Sequence, residues 1–120
     1  MNENSKTNLL TIQQIASFFF ILTIIVSIYL TEIEKNNIKY NKNQDTFKTN
    51  LTNRYIILII TIIFLYTSYK LYELAKKEKK ILKSYEIQLL VSLITVLLAI
   101  IGIYSLKVSK SLANFENPEI

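Results

Sequence analysis

The chain has 120 residues, enough for one domain, and carries a formal net charge of +5 at pH 7. It contains no cysteine and no histidine, which excludes disulfides, thiolate metal sites and every imidazole-based acid, base or ligand. The mean hydropathy of +0.30 is an average over blocks: the apolar residues gather in three runs, and the charges lie between them.

The first run follows a polar tail, residues 1–8. No charge occurs between Lys6 and Glu32, a window of 25 positions. As a helix that window is about 37 Å long, against a hydrocarbon core of about 30 Å. A transmembrane helix is therefore expected over residues 9–31, with Asn8, or Thr11 with Gln14, as its cap. A signal peptide fits less well. The stretch IASFFFILTIIVSIYL is too long for its apolar region, and Ser27-Ile28-Tyr29 places tyrosine where cleavage needs a small residue.

Residues 32–50 are rich in Asn and Lys, lack apolar periodicity and read as a polar loop into which helix extends from each end. Ile38, Tyr40 and Phe47 are the residues of this loop suited to rest on a membrane surface. Asn50 or Thr52 is the expected cap of the second helix.

The second run holds only 15 uncharged positions, between Arg54 and Lys70. Those two side chains can lay their methylene stems along the helix and put their charges among headgroups, which makes residues 51–71 long enough to span. The expected helix is 51–75. Beyond it, positions 71, 74, 75, 81 and 82 share one side of a helical wheel, so the helix is read as projecting from the bilayer as an amphipathic extension. Glu73 is placed to pair with Lys77. A lysine-rich hairpin follows at 76–84, its turn near Lys79–Ser84. Ser84 caps the third helix, expected over 85–110, with Glu86 in its first turn. This last run has 20 positions free of charge between Glu86 and Lys107, and a polar tail, 111–120, closes the chain.

The fold class is thus all-α, an integral membrane three-helix bundle forming one domain over residues 1–120. Each run ends in a small residue and a tyrosine, as in Ser68-Tyr69 and Gly102-Ile103-Tyr104. The taste of tyrosine for the bilayer interface accounts for this without an internal repeat.

Three spans put the amino-terminal tail and the hairpin on one face, and the first loop and the carboxyl-terminal tail on the other. Each face carries seven Lys plus Arg. Density decides between them, because Lys70, Lys76, Lys77, Lys79, Lys80 and Lys83 crowd into 14 positions. The amino terminus and the hairpin are accordingly placed in the cytoplasm, in the cell membrane of a multi-pass protein. The same cluster is expected to attract anionic lipid headgroups, at about 1 kcal/mol per lysine near the surface. Nucleic acid is not an expected partner, since the cluster has no arginine to read base edges. Ile, Lys and Asn, at 21, 13 and 11 copies, have A/T-rich codons and suggest an AT-rich bacterial source.

No ionisable residue lies deep in any run, which counts against proton-coupled transport, pumping and voltage sensing. Small multidrug transporters have a similar length but carry four helices and a carboxylate within the first. The loop carboxylates alternate with lysines, and no phosphate-binding glycine loop or nucleophile motif occurs, so the chain is expected to be a non-enzyme without cofactor or metal. The polar residues inside the runs form stripes instead: Gln13, Ala16, Thr23 and Ser27 on the first helix, Thr61 and Ser68 on the second, Ser92, Thr95, Ala99 and Gly102 on the third. Small and hydroxyl residues let helices approach and bond in lipid, so these are candidate packing residues. The expected function is action by helix–helix contact, as an accessory, regulatory or immunity-type protein whose partner is another membrane protein or a second copy. A holin-like pore-forming oligomer is the alternative.

Overall fold

A computed structural model describes residues 2–116, with side chains assigned for 3–112. Three helices follow in order: α1 Asn2–Lys39, α2 Phe47–Lys77 and α3 Lys83–Glu116. No strand occurs among the described residues, and each helix is long and apolar enough to cross a membrane. The spans are Glu3–Lys39, Phe47–Lys77 and Lys83–Leu112. The molecule is 62 Å long and 17 Å thin. Its length exceeds a whole bilayer of about 40–45 Å with headgroups, so helix ends project from it.

All three helices outrun their apolar blocks. The expected tail 1–8 is helical from Asn2, and the expected loop shrinks to the few residues between Lys39 and Phe47. The tail expected at 111–120 is helical to Glu116, and 117–120 lie outside the described residues. A helix already nucleated in the bilayer extends at the low cost of propagation. The expected caps move accordingly. Asn8 and Thr11 fall inside α1, where Thr11 Oγ1 donates to Thr7 O at 2.9 Å. Asn50 and Thr52 fall inside α2, whose entry is closed by Asp45 Oδ1 accepting from the Phe47 N–H at 3.0 Å. Ser84 lies within the first turn of α3, not before it.

The two connections end their helices in the same way. At the end of α1, Asn41 takes a left-handed conformation (φ 54°) and the Lys42 N–H reaches back to Asn37 O at 3.0 Å. The Asn37 side chain then clasps Gln44 by two reciprocal bonds. At the end of α2, Lys79 is left-handed (φ 57°), its N–H bonds to Lys76 O, and the Lys80 N–H bonds to Ala75 O. This pair of bonds is a Schellman closure with lysine where glycine is usual. It also stops α2 at Lys77, so Ile81 and Leu82 are not on the helix. The amphipathic extension is therefore shorter than its five-position pattern implies, and Ile81 is 86% exposed. Lys77 does not pair with Glu73; the bridge is Lys70 Nζ to Glu73 Oε2 at 3.9 Å.

Within the bundle α2 is central. It packs against α1 and against α3, while α1 and α3 make no close backbone approach to each other among the described residues. Burial follows this order: Ile60, Leu71 and Ala75 are buried on α2, against Ala16 and Leu30 on α1 and Ile103 on α3. The remaining faces of α1 and α3 are apolar and outward, including Phe18, Phe19 and Phe20.

Candidate functional site

The reason for the open arrangement lies in two heptad stripes on α2. Asn53, Ile60 and Thr67 recur every seven residues; so do Arg54, Thr61, Ser68 and Ala75. The stripes are one residue apart, hence about 100° apart around the helix. The first faces α1 and the second faces α3, as their hydrogen bonds show.

Toward α1, the Gln13 Nε2 donates to Thr67 Oγ1 at 2.9 Å. Thr67, the most buried of these residues, passes its own proton to Phe64 O. Fourteen residues earlier on α2, Asn53 Nδ2 donates to Thr23 O at 3.2 Å and to Ser27 Oγ at 3.1 Å. Ser27 in turn donates to Thr23 O. This seam is closed by a polar clasp at each end, with Ala16 and Ile60 buried between.

Toward α3, Ser68 and Ser92 stand 2.9 Å apart. The Ser92 proton is committed to Gln88 O, so Ser68 is the donor of the pair. At the far end, Arg54 Nη1 donates to Gly102 O and Nε donates to Asn50 Oδ1 at 3.3 Å. Arg54 is thus turned across onto α3 and does not extend outward as a headgroup anchor. Thr61 is buried and its hydroxyl returns to Leu58 O; Thr95 returns its own to Val91 O.

The stripe residues fall into separate groups. Gln13, Ala16, Thr23 and Ser27 belong to the α1 seam; Thr61, Ser68 and Ser92 belong to the α3 seam. Thr95, Ala99 and Gly102 line a cleft of about 300 Å³ between α1 and α3, whose α1 wall is Phe20 and whose floor is Ile57 and Thr61. Asn53, Arg54 and Thr67 were not among the sequence candidates. For Arg54 the signal was the seven-residue spacing that already linked Thr61 to Ser68; Asn53 and Thr67 stand two heptads apart on the neighbouring stripe, with the apolar Ile60 between them.

Of the lysine cluster, Lys76, Lys77, Lys79, Lys80 and Lys83 are exposed around the hairpin, and Lys70 is half-buried over the Tyr66 ring. Lys80 Nζ lies 2.8 Å from Glu78 Oε2. That hydrogen bond, and then the carboxylate's charge, raise the Lys80 ammonium above its usual range. At the opposite end, Lys107 lies over Tyr55 and Lys110 over Phe47, with cation-to-ring distances of 5.5 and 4.1 Å. No protein-family model, curated protein or solved structure matches the chain.

Proposed function

We propose that the protein works inside the membrane by contact, as an accessory, regulatory or immunity-type subunit, and not as an enzyme. The observation that carries this reading is where the described polar groups of the spans go. The hydroxyls and amides of α2 bond to α1, to α3 or to their own helix. Broad apolar faces of α1 and α3 are left outward. Such faces meet lipid or another apolar helix alike, so a partner can dock without any polar group of the seams being uncovered. We place the amino terminus and the lysine hairpin in the cytoplasm, with the exposed lysines against anionic headgroups.

A pore is the other reading, and it requires several copies. The seams argue against it, because a pore lining needs polar faces that these bonds turn inward. The deciding experiment is purification from the native host in mild detergent, with mass spectrometry and light scattering on the eluted complex. A different membrane protein at fixed stoichiometry is the expected result. A large homo-oligomer alone, with loss of membrane potential on controlled overexpression, would replace this reading with the pore.

A further inference from the structure

The cleft between α1 and α3 has an asymmetric chemistry. Its walls and floor are almost wholly apolar, formed by Phe20, Ile57, Leu98 and Ala99, with the Thr61 and Thr95 hydroxyl protons turned back onto their own helices. One end carries Arg54. Two of its N–H groups are used, on the neutral acceptors Asn50 Oδ1 and Gly102 O. A guanidinium has five. No carboxylate among the described residues lies within ion-pair distance of it. Asp45, near this end of the molecule, is engaged by the Phe47 N–H, and Glu32 by Lys35.

The position of Arg54 along the span fixes what can meet it. It immediately precedes Tyr55 and the uncharged run, and Lys107 lies over the Tyr55 ring at the same level. Tyrosine and lysine at a span's end mark the headgroup boundary. A half-buried cation at that boundary, heading an apolar cleft that runs toward the bilayer centre, is complementary to an amphiphile with an anionic head. A second copy of the chain offers no such match. Its uncharged runs, residues 7–31, 55–69 and 87–106, contain no carboxylate, and Glu32, the first beyond them on this face, is engaged by Lys35.

We propose that the cleft holds one anionic phospholipid, its phosphate on Arg54 and an acyl chain between Phe20 and Ala99. The lipid fills the space that α1 and α3 leave open and supplies the counter-charge that no described carboxylate gives Arg54. The proposal rests on the membrane placement of the helices and is independent of the contact function, since a lipid is retained whether or not a protein partner exists.

The test is native mass spectrometry of the full chain, released from detergent containing equal phosphatidylglycerol and phosphatidylcholine. The wild-type protein is expected to retain one phosphatidylglycerol, several-fold over phosphatidylcholine, whose phosphate is the same but whose choline cation cancels the negative charge that Arg54 attracts. Arg54→Gln is expected to erase the preference, and Ala99→Phe, which fills the cleft, to lose both lipids. Lys35→Gln, which removes an exposed cation outside the hairpin cluster, should change nothing, and millimolar inorganic phosphate, lacking a chain, should not compete. Equal retention of the two lipids by wild type would overturn the proposal without any variant having to fold. So would a preference that survives Arg54→Gln, one that Lys35→Gln removes equally, or a lipid-free dimer.

Discussion

Asn53 donates from one amide nitrogen to two acceptors on α1, and Thr67 takes the Gln13 amide a further two heptads along. Each bond replaces an amide hydrogen bond that lipid cannot supply. Interhelical bonds of this type average about 0.6 kcal/mol and reach about 1.7. Thr67→Val keeps the shape and removes the acceptor, so a loss within that range is expected in reversible detergent-denaturant unfolding. Adding Gln13→Leu should restore part of it, because the stranded amide is then gone as well. Lys79 is a different case. Its left-handed backbone costs a residue with a Cβ about 1–2 kcal/mol. Lys79→Gly is therefore expected to stabilise the hairpin by about 1 kcal/mol. An unchanged or lowered stability in the same unfolding assay would show that the strain is absent.

At the scale of the element, α2 alone has two partners among the described residues, and its adjacent heptads decide where they sit. Because the chain has no cysteine, this geometry can be read by cross-linking without a background. Ser68→Cys with Ser92→Cys replaces two oxygens 2.9 Å apart and should oxidise readily. Phe20→Cys with Thr95→Cys places one thiol on each side of the open cleft and should not. Rapid bridging of the second pair would mean that α1 and α3 close on each other. The three spans were legible in the sequence because lipid demands length and apolarity, and both are countable. So was the Thr61–Ser68 spacing. Its extension to Arg54 and Ala75 was hidden because a cation at a span's end is expected to face headgroups, and alanine has no distinctive signature. Asn53 was hidden by its place among loop asparagines. The helix ends were legible only in part: helix entering 32–50 from each side was expected but not its extent, and residues 2–8, which carry no apolar period, take their helicity from the span they precede.

For the whole molecule, antiparallel packing puts the start of α1 beside the α2–α3 hairpin, since Gln13 meets Thr67 and Ser68 meets Ser92. The first loop and the end of α3 share the other face, where Lys107 and Lys110 sit over Tyr55 and Phe47. Seven basic residues stand on each side, so orientation rests on how they are deployed. Each face has engaged charges, Lys70 with Glu73 and Lys80 with Glu78 on one, Lys35 with Glu32 and Arg54 with α3 on the other, but six of the seven on the hairpin face crowd into 14 positions. The proposed cytoplasmic placement of the hairpin therefore rests on the density of its lysines, not on their number or pairing. A single Thr46→Cys is then expected to react with an impermeant maleimide added outside intact cells, and a single Ser84→Cys only after permeabilisation. Replacing Lys76, Lys77, Lys79, Lys80 and Lys83 by Gln leaves two basic residues on the hairpin face against seven on the other. That imbalance should invert the labelling of the two sites. Persistence of the original pattern would mean that something other than the lysine cluster sets the direction of insertion, with the long basic flank of α1 the next determinant to neutralise.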